Sequence, residues 1–120
     1  MNDTQKLEKS ITDLREALAF SDKALKEHIY YAGIAKCFEV CLEYAWRQLK
    51  HKLSDEGVDS YSPKDVIRSA GRTGLIDNVE RWITCINIRN IAVHDYLGVS
   101  PEEYLRSIHD FLPLVEKVLE

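Results

Sequence analysis

One stretch limits what this chain can fold into. From about Lys26 to about Asp55, the residues Ile34, Phe38, Cys41, Leu42, Ala45, Leu49 and Leu53 recur at helical spacing, and Gly57 follows as a stop signal. Some 29 residues of helix extend roughly 43 Å at 1.5 Å per residue. A chain of 120 residues cannot hide so long a rod end-on. It needs long neighbours lying alongside, which predicts an all-α, up-and-down bundle.

The remaining segments supply those neighbours. A first helix is expected from about Asp3 to about Leu25, with Leu7, Ile11, Leu14, Leu18 and Leu25 as its apolar stripe and Lys6, Lys9, Arg15 and Glu16 off it. After the polar loop Val58–Tyr61, Ser62-Pro63-Lys64-Asp65 opens a short helix, with Ser as N-cap, Pro at the first helical position and an acid at the third. It ends near Gly71 to Gly74. Asp77 or Asn78 caps a fourth helix that carries Trp82, Cys85, Ile86 and Arg89 and runs to about His94 or Tyr96, before Gly98 breaks the chain. Ser100-Pro101-Glu102-Glu103 reads as a capping box for a fifth, carrying Tyr104, Leu105, Ile108, Leu112, Val115 and Leu119. Pro113 inside that helix should kink it or remove a hydrogen bond. The expected architecture is four main helices plus a short one, forming one domain over residues 1–120.

Composition agrees and narrows the function. At 45% hydrophobic and 30% charged, with five Gly and three Pro, the chain is too apolar for disorder and too poor in turn residues for an all-β fold. Cys37, Cys41 and Cys85 are an odd number at no disulfide spacing, the first residues lack an apolar leader, and no stretch reaches the length of a membrane span. A reducing cytoplasm and no membrane are the expectation. The formal net charge of −4 means that any contact with nucleic acid must come from a local basic patch.

Four sets of residues could carry chemistry. Cys37 and Cys41 lie one turn apart, but no further ligands stand at a usable spacing, so core packing outweighs a metal site and no cofactor is expected. Lys64, Arg68 and Arg72 share one face of the short helix, and Arg47, Lys50 and Lys52 cluster near the end of the long one. Such cations suit phosphates or an acidic partner, and they equally suit a solvated helix face. The aromatic residues Tyr30, Tyr31, Phe38, Tyr44, Trp46 and Trp82 read as core or subunit interface, with Trp46 and Trp82 as packing anchors.

The fourth set is Arg89-Asn90-Ile91-Ala92-Val93-His94-Asp95-Tyr96. Arg89, Val93 and Tyr96 share a helical face, and Asn90 and His94 form a second pair beside it. Arg89 and His94 stand about 140° apart around an ideal helix, so they would flank a groove. A histidine with an ordinary pKa of about 6.5 can give or take a proton at neutral pH. Arginine clamps a phosphate with planar paired donors, and Asn90 can orient an imidazole. From spacing alone, a surface ion pair and a helix-end dipole partner remain the commoner meaning of such an Arg and His.

The ordered motifs narrow this. Arg89-Asn90-x-x-x-His94-x-Tyr96 resembles the Arg-x4-His-x-Tyr motif of HEPN toxins. Phe38-Glu39, Glu43-Tyr44-Ala45-Trp46, Ser62-Pro63-x-x-Val66-Ile67-Arg68, Gly74-Leu75-Ile76-Asp77 and Trp82 resemble, in the same order, the nucleotidyltransferase substrate-binding branch of HEPN proteins. The resemblance implies a homodimeric helical bundle and a minimal nucleotidyltransferase partner, in a pair of toxin–antitoxin type. It further implies a metal-independent ribonuclease using Arg89, Asn90 and His94, with RNA as substrate and adenylylation of Tyr96 by the partner as control. The same branch was first named for substrate binding, so a non-catalytic docking subunit for the nucleotidyltransferase is the alternative. A purely structural helical dimer is a third.

Overall fold

The computed structural model describes the backbone of residues 1–94 and 98–120, and the side chains of residues 1–92 and 98–120. The elements are α1 (Asp3–Leu18), α2 (Ser21–Ala24), α3 (His28–Asp55), α4 (Pro63–Thr73), α5 (Val79–His94) and α6 (Pro101–Glu116), followed by a 3-10 turn over Lys117–Leu119. Among the described residues there is no strand, and the expected all-α bundle is what forms. The molecule measures 47 × 30 × 21 Å, its long dimension matching the rod of α3. α3 is the spine: α1, α2, α4 and α6 all pack against it, α4 meets α5, and α5 meets α6.

Local chemistry sets the helix starts. Asn2 Oδ1 accepts from the Gln5 N–H at 2.8 Å and Gln5 Oε1 accepts from the Asn2 N–H at 3.0 Å, a reciprocal cap for α1. Ser62 Oγ and Ser100 Oγ accept from the N–H of Asp65 and Glu103, each ahead of a first-position proline. Gly74, at φ 83°, closes α4 in the left-handed conformation that favours glycine. α4 and α5 meet closely at Gly71, where an added Cβ would collide with the Val79 side chain.

Two expected elements are corrected. The first helix stops at Leu18 instead of running to Leu25, and Leu25 is exposed. At that corner Ser21 Oγ donates to the Leu18 carbonyl at 2.6 Å and lies 2.9 Å from His109 Nε2 on α6. Phe20 stacks on Tyr30 at 5.5 Å, and the Lys23 ammonium covers both rings. These contacts, invisible to periodicity, outweigh a continuous stripe. In α6 the buried residues are Tyr104, Leu105, Ile108, Phe111, Leu114 and Val115, with Leu112 half-buried and Leu119 exposed. Steps of four drift about 40° around a helix, so a stripe extended through Leu112 leaves the buried face that Phe111 occupies. Pro113 points outward, so the carbonyl it leaves without a helical donor lies on the solvent side.

The core runs through edge-to-face rings. Phe38 meets Tyr104 at 5.8 Å and Phe111 at 5.2 Å, and Phe111 meets Trp82 at 5.5 Å. Trp82 is buried as expected of an anchor. Trp46 is only half-buried, because its indole N–H donates to Glu43 Oε2 at 2.9 Å near the surface.

A groove between the long helix and the motif helix

Among the described residues α3 and α5 make no extended close contact, and open grooves run between them. The sequence dictates this. The buried side of α5 carries Trp82, Cys85 and Ile86 toward the core, while Arg89 and Asn90 come one turn later and interrupt an apolar pattern that Ile88 and Ala92 continue. Arg89 therefore lies half-buried at the edge. It lines a cavity of about 350 Å³ with Lys36, Glu39, Val40, Glu43, Tyr44 and Arg47 of α3. A narrower cleft of about 40 Å³ joins Arg89 and Asn90 to Glu39, Trp46, Ile86 and Pro63, the first residue of α4. Toward the start of α3 a third cavity, about 380 Å³, is lined by His28, Tyr31, Ala35, Lys36, Glu39, Ala92 and Tyr104. Glu39 borders all three.

The electrostatics leave Arg89 uncommitted. Among the described residues no carboxylate lies within ion-pairing distance of it, and its Nη1 donates to Asn90 Oδ1 at 3.3 Å. Glu43 is occupied instead by Arg47, at 2.7 Å, and by the Trp46 indole. A guanidinium held at the edge of a groove with no carboxylate paired to it among the described residues is suited to an incoming oxyanion.

The other expected site residues fall as follows. His94 is the last residue of α5, and its side chain lies outside the described residues, as does the whole of Tyr96. The Arg89–His94 flanking geometry is therefore set only through the helix they share. Lys64, Arg68 and Arg72 lie on α4, opposite its buried Val66, Ile67 and Ala70, and none of them has an ion-pair partner among the described residues. Near the end of α3, Arg47 pairs with Glu43 and Lys52 donates to the Val118 carbonyl at 2.9 Å, so two of that second cation cluster serve the fold.

Glu39 and Lys36 are groove residues that spacing did not single out. The available signal was that Lys36, Glu39, Glu43 and Arg47 follow one another at steps of three and four beside the apolar stripe of α3. The cysteines serve packing. Burial pushes the Cys41 and Cys85 thiols up to about 12, and Cys37, half-buried, is raised by the same cause. Thiols so protonated are poor ligands and poor nucleophiles. Among the described residues no helix is long and apolar enough to cross a membrane.

Known proteins with this sequence pattern and fold give the groove its context. The family model described as nucleotidyltransferase substrate binding protein like matches residues 2–120. A Haemophilus influenzae protein named Probable ribonuclease HepT is 30% identical over 86 residues, which are 68% of this chain and 59% of that protein; the chain thus spans under two thirds of its length. A Haemophilus influenzae structure described as the substrate binding domain of a nucleotidyltransferase superposes with a TM-score of 0.82 at 25% identity, covering 97% of this chain and 96% of the other. A tri-AMPylated HEPN toxin from Shewanella oneidensis, solved in complex with an MNT antitoxin, shares the fold with a TM-score of 0.71 at 15% identity, covering 97% and 98%.

Proposed function

Since this chain belongs to the HEPN-like nucleotidyltransferase substrate-binding family, we propose that it is the HEPN member of a toxin–antitoxin-type pair and cleaves RNA without a metal. The observation that carries this reading is Arg89, half-buried in a groove, without an ion-pair partner among the described residues and five residues before His94 on the same helix. In the proposed reaction a ribose 2′-oxygen attacks the adjacent phosphorus. His94 takes the 2′-OH proton, the bond from phosphorus to the 5′-oxygen breaks, and the leaving oxygen is protonated by a second acid. Arg89 neutralises charge growing on the phosphoryl oxygens, an effect worth several kcal/mol when the donors are preorganised. Asn90 orients the site. The products are a 2′,3′-cyclic phosphate and a 5′-hydroxyl.

The second acid comes most simply from a second copy. Ile29, 76% exposed, leads an open face of α3 with Ala32 and Gly33, and Ile91 is exposed on the motif helix. A homodimer using this face would place two Arg89–His94 sets in one cleft. The partner nucleotidyltransferase would silence the site by transferring AMP from ATP to the Tyr96 phenol oxygen, releasing pyrophosphate. The new phosphodiester would lie against Arg89 and exclude an RNA phosphate.

The purified protein should cleave RNA in excess chelator, and His94→Ala should abolish this while keeping the helical signal. With the partner, ATP and Mg²⁺, intact-mass spectrometry should show added AMP that Tyr96→Phe removes. Absence of cleavage with intact AMP transfer would leave a docking subunit for the nucleotidyltransferase. That second reading is favoured by the likeness to a substrate binding domain across nearly the whole chain.

A further inference from the structure

Seven arginines are present in the chain, and three of them, Arg15, Arg47 and Arg81, are held by carboxylates at 2.7–2.9 Å. Arg68, Arg72, Arg89 and Arg106 have no such partner among the described residues, and the first two project from the outer face of α4 in line with Lys64. In the same helix Asp65 is engaged elsewhere: its Oδ2 accepts from the Tyr61 N–H at 3.0 Å. That bond fixes the backbone just ahead of α4 and leaves the Tyr61 ring 76% exposed. Pro63, two residues on, borders the cleft that contains Arg89 and Asn90. An exposed aromatic ring and three cations spaced about 6 Å apart along the helix axis thus lead away from the proposed reaction site.

We propose that Tyr61 and the Lys64, Arg68, Arg72 row of α4 form a binding track for the single-stranded RNA that flanks the scissile phosphate. A base stacks on Tyr61, and successive phosphates meet the cations, each with a long side chain able to follow a flexible backbone. The track explains how a chain of net charge −4 takes a polyanion: the contact is confined to a helix whose three aligned cations have no ion-pair partner among the described residues and whose one acid is tied to a turn. It prefers single strands because stacking needs a splayed base. The inference rests on the RNA reading above for its choice of polymer.

Binding is measured by fluorescence anisotropy with a labelled uridine homopolymer and the full chain carrying His94→Ala, so that the probe survives. Reversal of Arg68 and Arg72 to Glu should weaken binding by at least tenfold and flatten its salt dependence. Tyr61→Ala should weaken it by about tenfold, while Tyr61→Phe, which keeps the ring, should not. Thermal midpoints should stay within a few degrees, as expected for surface changes. If the parent binds and the variants do not, the track stands even where the wild-type chain proves unable to cleave. Failure of the parent to bind, equal binding by the reversed protein, or indifference to Tyr61→Ala overturns it. Loss of the nucleotidyltransferase complex with RNA binding intact would reassign α4 as a protein-docking surface.

Discussion

Arg89 and Asn90 illustrate what residue types alone can decide. The chemistry proposed for them comes from residue type, because an arginine, an amide and a histidine within six positions suit phosphate. Their availability was not legible in the sequence, since that depends on Glu43 being bound by Arg47 and Trp46, a fact of three-dimensional pairing. The cysteines show the reverse: the apolar stripe already placed Cys41 in the core, and its burial follows. A titration consequence follows too. Both Cys41 and Cys85 have thiols pushed up to about 12 by burial, against about 8.5 in an unfolded chain. Between those values the unfolded chain loses thiol protons that the folded one keeps, so stability is fully present below about pH 8.5 and declines as pH rises toward 12. Chemical denaturation from pH 8 to 11 should show that decline, and the Cys41→Ala, Cys85→Ala double variant should show a shallower one. Equal slopes in both proteins would mean that other groups dominate.

At the scale of elements, periodicity located every long helix but misjudged where the first one ends and which residues α6 buries. The long run of α3 and the serine–proline starts of α4 and α6 are encoded locally, by a stripe and by side chains that reach their own backbone. The corner after Leu18 is not local: it depends on His109, which is 88 residues away from Ser21. Glycines inside helices separate these two kinds of cause. Gly71 is required by a neighbour, since Val79 occupies the space of its missing Cβ. Gly71→Ala should therefore lower stability by about 1 kcal/mol net, overpacking outweighing the gain in helix propensity. Gly33 has open space above it, so Gly33→Ala should stabilise an isolated bundle by up to about 1 kcal/mol. Urea denaturation of the two variants should give opposite signs. A stabilised Gly71→Ala protein would show that Val79 yields easily.

For the whole molecule, the up-and-down arrangement was written into the length of one helix, because a rod of that size has few ways to be covered. Self-association is a separate matter, resting on what the bundle leaves uncovered. Light scattering at micromolar concentration should give about twice the 13.9 kDa chain mass. If the dimer uses the open face of α3, Ile29→Glu should shift it to monomer without loss of helicity. A monomeric parent would remove the two-copy cleft and with it the proposed source of the second proton.

The bundle also has two unlike poles. Asp3 pairs with His51, Thr4 accepts from Gln48, and Val118 accepts from Lys52, so both ends of the described chain meet the last turns of α3. Ala92, close to the end of the motif helix, sits instead beside His28 and Tyr31 at its start. His28 and His51 are about 35 Å apart along the rod. A peptide or dye joined at Met1 or Glu120 would therefore emerge beside the last turns of α3, far along the rod from the cavity that His28, Tyr31 and Ala92 line.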